Sequence, residues 1–285
     1  MTSVRACVAC AIEPAGVGCG LCAHCSASRI DIEGRQESDL GVVAAVSERG
    51  RGHERNEDAF FLSVGSGAQV AAVVCDGVGS SSGAAEAAVA AAQAAGRVLA
   101  RAIRDGSSSS EAMTIEAIAR AREAVALVVP ENPNGVAPSC TLVSVACAGG
   151  SVTVGWVGDS RAYWLGDEES RLLTEDDTPD AGARPRNGRR ASSRINRWIG
   201  ADAPSEPPRL TTFRPHRFGR IVLCSDGLWS ALSGGGSATS MRGSTSSSAT
   251  PLTTARRLSG LALAQGGHDD VTVAVCDTGP TVRST

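Results

Sequence analysis

The chain has 285 residues, 42% of them hydrophobic but only 3% aromatic, and a net charge of −3. That length supports one good-sized core with room for a small satellite module, and the core must be built from Ala, Val, Leu and Ile rather than large rings. A nearly balanced charge without a Lys/Arg run excludes a nucleic-acid footprint, and no stretch approaches the roughly 18 apolar residues of a membrane helix. No basic segment leads into an apolar signal core at the start, so the expected location is cytoplasmic, with neither a membrane nor a nucleic acid as partner.

The ten cysteines fall into two classes. Cys7, Cys10, Cys19, Cys22 and Cys25 crowd the first tenth of the chain, with eight residues between the two Cys-x-x-Cys pairs. Four thiolates in two such pairs are the ligand set of a structural zinc ribbon. Residues 1–35 are therefore predicted to be a zinc-ribbon-like segment and linker, with Zn²⁺ on Cys7, Cys10, Cys19 and Cys22; the alternative is a reduced cysteine-rich tail. The charged residues 31–39 read as the linker itself. Cys75, Cys140, Cys147, Cys224 and Cys276 sit singly in apolar runs and read as small buried hydrophobes.

From residue 41 the pattern changes. Short β-type runs at 41–47, 59–64 and 69–75 precede two alanine-rich, strongly helix-forming segments at 83–104 and 111–129. Strand patterns return at 140–148, 151–157, 161–165 and 171–174. Residues 177–196, polar and punctuated by Pro and Gly, predict a surface loop or flap. A strand at 220–225 is followed by the Gly/Ser/Thr-rich tract 233–250, which predicts a flexible segment that costs stability more than chemistry. A helix at 252–264 and a strand at 271–276 complete the series. Strands, then paired helices, then strands do not alternate as βαβ units do, so the predicted fold class is α+β with antiparallel sheets and helices outside.

The functional signal is where the acids fall. Asp58 opens one apolar run, Asp76 ends another, Asp159 follows a third, Asp226 ends a fourth and Asp269 opens a fifth. Any one Asp-Gly is an ordinary turn after a strand. Carboxylates at five strand ends can instead converge at one end of a sheet sandwich, where a divalent cation relieves their repulsion. Hard oxygen donors suit Mg²⁺ or Mn²⁺ rather than zinc.

The blocks Arg55-Asn56-Glu57-Asp58-Ala59, Val74-Cys75-Asp76-Gly77-Val78-Gly79, Ser139-Cys140-Thr141-Leu142, Gly155-Trp156-Val157-Gly158-Asp159-Ser160-Arg161, Leu173-Thr174-Glu175-Asp176, Cys224-Ser225-Asp226-Gly227-Leu228-Trp229 and Gly267-His268-Asp269-Asp270-Val271-Thr272 resemble, in order, the motifs of metal-dependent type 2C protein serine/threonine phosphatases. The resemblance implies a phosphatase domain over residues 36–280, a four-layer sandwich of two antiparallel sheets flanked by helix pairs. It also implies a binuclear Mg²⁺/Mn²⁺ centre with Asp76 bridging, the Gly77 carbonyl completing one site, and Asp226 and Asp269 holding the other. Asp58 and Glu57 would bind metal directly or orient its waters, and Asp159 matches the ligand of a third, weaker metal. Water activated between the two ions would hydrolyse phosphoserine and phosphothreonine in protein substrates, opposite a cognate Ser/Thr kinase.

Four departures stand out. His53 occupies the place of an arginine that grips substrate phosphate, with Arg51 or Arg55 as possible substitutes. The last motif carries Asp269-Asp270 instead of Asp-Asn, with the ligand assigned to Asp269. Ser230 stands where some relatives place an acid for the third metal, and the tract 233–250 replaces more regular structure. A catalytically weakened, phosphatase-like regulatory or phosphopeptide-binding protein is the alternative function, and a zinc-ribbon adaptor a further one.

Overall fold

The computed structural model describes residues 35–66, 69–105, 110–130, 132, 135–179, 194–232, 237–243, 245 and 249–279. The predicted zinc ligands Cys7, Cys10, Cys19 and Cys22 lie outside the described residues.

In chain order the strands and helices are β1 (Arg35–Asp39), β2 (Val43–Glu48), β3 (Asp58–Val64), β4 (Val70–Asp76), α1 (Ala84–Asp105), α2 (Ser110–Ala126), β5 (Ser139–Cys140), β6 (Leu142–Ala148), β7 (Ser151–Val157), β8 (Arg161–Gly166), β9 (Ser170–Leu172), β10 (Ile199–Gly200), β11 (Arg209–Phe213), β12 (Gly219–Cys224), α3 (Asp226–Trp229), α4 (Ala238–Gly243), α5 (Pro251–Ala264) and β13 (Val271–Thr278). One sheet has the order β1-β2-β13-β12-β8-β9 and the other β11-β7-β6-β4-β3, with β10 and β5 as a short separate pair. All pairings are antiparallel.

Period-two alternation assigns each strand's side chains to two layers. In β4, Val70, Ala72 and Val74 point between the sheets, while Ala71, Val73 and Cys75 point at the α1/α2 layer. In β12, Ile221 and Leu223 face the other sheet, while Val222 and Cys224 face α5 and Met241. Because helices cover the outer faces, the central strands are apolar on both sides, which is why they read as continuous runs. Small residues make the helical layer close. The α1 face is mostly alanine, and a Cβ at its Gly96 would lie 2.2 Å from the Phe61 ring, so glycine there admits the ring. The five singly placed cysteines are all buried and free, as their settings predict.

Several expectations are corrected. The charged stretch expected to be a linker supplies edge strand β1 from Arg35 onward; its polar side chains pack little, and backbone pairing with β2 holds it. The helix pair is found on one face. The other face carries, among the described residues, one long helix, α5, and the short α3 and α4, because a long run of apolar periodicity occurs there only once. Within the tract expected to be flexible, α4 forms and buries Met241 completely. The polar segment 177–196 begins not at the surface but with a buried Asp177. Strand β11 was not anticipated.

Candidate metal centre

Antiparallel register places the first acids. Asp58 at the start of β3 stands directly opposite Asp76 at the end of β4. The Asp76 carbonyl accepts from Thr141 N–H at 2.7 Å, and its N–H donates to Thr141 Oγ1 at 3.3 Å, so the junction of β5 and β6 holds the strand end. On the facing sheet, β12 ends at Cys224, and Ser225 precedes α3, which begins at Asp226. Ser225 Oγ donates to Asp58 Oδ2 at 2.7 Å and accepts from Thr272 N–H at 2.9 Å, tying the two sheets together under the acids. Asp226 N–H points at Asp76 Oδ2 at 3.4 Å. Asp159 occupies the β7–β8 turn behind Gly158, whose φ of 103° favours glycine. A Cβ at Gly77 would lie 2.8 Å from the carbonyl oxygens of both Ala84 and Glu57, so only glycine fits between the two strand ends.

The electrostatics are those of crowded anions. Burial first, then Asp270 and Asp226, pushes the Asp58 carboxyl well above its ordinary range. Burial, then Asp226, Asp58, Asp159 and Asp269, does the same to Asp76. Asp226 is pushed up to about 6 by burial and by Asp269, and Asp159 to about 7 by burial and by Asp226. Glu57 is raised mainly by burial. Among the described residues no three His, Cys, Asp or Glu side chains are drawn into one metal-holding group.

The two neighbouring acids of the last motif differ sharply. The Asp269 side chain is 48% exposed and Asp270 only 3%. Asp270 gathers the loop between β2 and β3: Oδ1 accepts from Gly50 N–H at 2.7 Å, and Oδ2 accepts from Glu57 N–H at 2.7 Å and meets His53 Nδ1 at 2.9 Å. His53 Nε2 lies 3.5 Å from Asp269. Burial opposes the His53 charge, but Asp270 and Asp269 outweigh it and raise its pKa. His53 is thus turned toward carboxylates. Arg55 is paired with Glu86, whereas the exposed Arg51 has no ion-pair partner among the described residues.

The sequence profile of the family Protein phosphatase 2C matches residues 47–259. The chain belongs to the protein phosphatase 2C family. It is 31% identical over 241 residues to the serine/threonine protein phosphatase PstP of Mycobacterium tuberculosis, an alignment covering 82% of this chain and 44% of that protein. The chain therefore spans less than half the length of this curated relative. The crystal structure of the M. tuberculosis serine/threonine phosphatase PstP/Ppp is similar at 26% identity and a TM-score of 0.62, over 83% of this chain and 98% of the other. The PstP catalytic domain in complex with two manganese ions shares the fold, with 24% identity and a TM-score of 0.57, over 83% and 97% of the two chains.

The donor set of this type 2C domain fits divalent Mg²⁺ or Mn²⁺. Its acids are hard oxygen donors, and the Gly77 position leaves no room for a side chain. Such ions would be held by Glu57, Asp58, Asp76, Gly77, Asp159, Asp226 and Asp269, on the strand ends and turns described above. Sequence reasoning missed the residues that hold them. Ser225 and Thr141 are within the motifs, and their place beside the acids was the available signal. Nothing in the sequence announced that Asp270 would collect three donors.

Proposed function

We propose that this chain is a metal-dependent phosphoprotein phosphatase acting on phosphoserine and phosphothreonine. The observation that carries this reading is the placement of Asp58 directly opposite Asp76, with the Asp226 N–H 3.4 Å from Asp76 Oδ2, in a chain of the 2C family. Asp76 and the Gly77 carbonyl, with Asp226 and Asp269, hold two Mg²⁺ or Mn²⁺ ions. Glu57 and Asp58 bind directly or orient water, and Asp159 serves a third, weaker site. Bound ions supply charge neutralisation for the phosphate and acidification of water.

The chain's own residues do the rest. Ser225 and Thr141 keep the acid-bearing strand ends in register. Asp270 holds the loop that carries Arg51, His53, Arg55 and Glu57 against the centre. Arg51 contacts the substrate phosphate, because its guanidinium is exposed while Arg55 is paired with Glu86 and His53 with Asp270. A guanidinium offers two parallel donors to phosphate oxygens, which a histidine does not.

The engagement of His53 by Asp270 favours a second reading, a catalytically weakened phosphatase-like regulator that binds phosphopeptides. Hydrolysis of p-nitrophenyl phosphate and of a phosphothreonine peptide by the full chain, with Mn²⁺ and with chelator, separates the two. Turnover that requires Mn²⁺ supports the enzyme; Mn²⁺-dependent peptide binding without turnover supports the regulator.

The substrates are phosphorylated proteins, the opposing activity is a Ser/Thr kinase, and the setting is the cytoplasm. Among the described residues no helix is long and apolar enough to cross a membrane. Cys7, Cys10, Cys19 and Cys22, ahead of the phosphatase domain, are the ligands for a structural zinc ion in this reading. Zinc at one equivalent by elemental analysis, lost when the four cysteines are changed to serine, tests that part.

A further inference from the structure

Asp159 is held from both sides of its turn. On the preceding side, Gly158 N–H donates to Asp177 Oδ2 at 3.0 Å, and Asp177 N–H donates back to the Gly158 carbonyl at 3.0 Å. On its own carbonyl, the indole Nε1–H of Trp229 donates at 3.0 Å. Trp229 is the last residue of α3 and Asp226 the first, so a single helical turn joins that indole to Asp226. The indole is itself clamped. The guanidinium of Arg161 lies 3.8 Å from its ring centroid and is fixed by two bonds to Asp176, at 2.9 and 2.7 Å. A cation over an indole face is an attractive contact that discourages rotation of the ring.

We infer that Trp229 is a positioning residue that holds Asp159 in place beside Asp226 for metal binding. This rests on the phosphatase reading of the centre and adds to it a residue that touches neither substrate nor metal. The Asp159 and Asp226 carboxyls repel each other. A turn free to move would relieve that repulsion by swinging Asp159 away. The indole bond, braced by Arg161 and Asp176, resists that movement, so the pair stays close enough for a cation to offset both charges. The placement also makes metal binding at Asp159 depend on α3, and hence on Asp226.

The test is Mn²⁺ binding to the full chain by equilibrium dialysis, which does not depend on turnover. Trp229→Phe keeps an aromatic ring near Arg161 and removes the N–H donor together with the five-membered ring that bears it. It is expected to weaken the weakest Mn²⁺ step about threefold to tenfold, the size of one lost hydrogen bond, and to leave the tighter steps within about twofold. Asp159→Asn is expected to remove the weakest step, and adding Trp229→Phe to it should change nothing further. Unaltered binding in Trp229→Phe overturns the inference. So does an equal weakening of every step, which is what a general structural role would give. No Mn²⁺ binding by the unaltered chain overturns the phosphatase reading itself, a separable result. If Trp229→Phe does not fold, Arg161→Gln decides: removing the guanidinium that braces the indole should weaken the same Mn²⁺ step selectively, and unaltered binding overturns the inference.

Discussion

Asp58 and Asp177 are both buried carboxylates, and their surroundings are opposite. Asp58 has two hydroxyl partners, Ser225 and Thr272, but no cationic one, and it faces the acids Asp270 and Asp226. Asp177 accepts from Gly158 N–H and lies between two guanidinium groups, Arg209 at 2.8 Å and Arg197 at 3.2 Å. Its backbone also closes the neighbouring segment, because Asn196 N–H donates to the Asp177 carbonyl at 2.8 Å. A buried charge that the chain neutralises itself is an anchor. A buried charge set among like charges is incomplete without a ligand. Acids of one type, in one fold, therefore have different roles that only their neighbours reveal.

The largest expected effect comes from breaking the incomplete side. Asp76→Asn or Asp226→Asn should abolish Mn²⁺-dependent hydrolysis, measured with p-nitrophenyl phosphate. In chelator the same variants should unfold at or above the temperature of the unaltered chain, since each removes a repelled charge. A large loss of thermal stability without metal would contradict the contrast with Asp177.

Breaking the completed side should do the reverse. Asp177→Ala leaves the buried Arg197 without its innermost partner, a loss of about 3–5 kcal/mol for a broken buried pair. For a domain of this size that lowers the melting temperature by roughly 10 °C, readable by scanning calorimetry. Asp76→Asn should show no such drop.

The contrast also sets a pH dependence. Asp226 at about 6 and Asp159 at about 7 lie above the ordinary value of 3.8. Below about pH 4 both the folded and unfolded chains hold these protons and the acids exact no penalty. Between about pH 4 and 7 the unfolded chain releases protons that the fold retains, so the stability of the metal-free protein falls as pH rises. Saturating Mn²⁺ should flatten that fall. Urea unfolding across this range, with Mn²⁺ and with chelator, checks it; a metal-free protein that gains stability over the same range would refute it.

The smallest effect concerns the phosphate contact. Arg51→Ala should raise KM about tenfold, the loss of a charge-assisted hydrogen bond, with little change in kcat. His53→Ala should move KM less, because its imidazole is occupied by Asp270. Steady-state kinetics on a phosphothreonine peptide compares the two, and a larger effect at His53 would return the phosphate to that residue.

Much of the architecture was legible because the central strands are covered on both faces. Residues 70–76, 142–148, 221–224 and 271–276 are mostly apolar runs, and the acids at or beside the ends of three of them, Asp76, Asp226 and Asp269, stand out. Edge elements were not legible. Strand β1 reads Arg-Gln-Glu-Ser-Asp and gains its structure from backbone pairing with β2, a partner that sequence patterning does not display. The same holds for β11, whose side chains are mostly half-buried, and for α4, where a single Met241 reaches the core.

By itself the sequence determined that the candidate acids stand at or beside strand ends, with a glycine after Asp76 and after Asp226. These are local properties, set by period-two burial and by backbone sterics. Tertiary structure alone decided that Asp270 takes three donors from residues 50–57, that His53 turns toward it, that Asp177 meets two arginines, and that Trp229 reaches the Asp159 carbonyl. Each joins residues far apart in the chain, from 20 positions for Asp177 and Arg197 to 220 for Gly50 and Asp270. A buried polar group must find a partner, but which one it finds depends on how the two sheets are stacked.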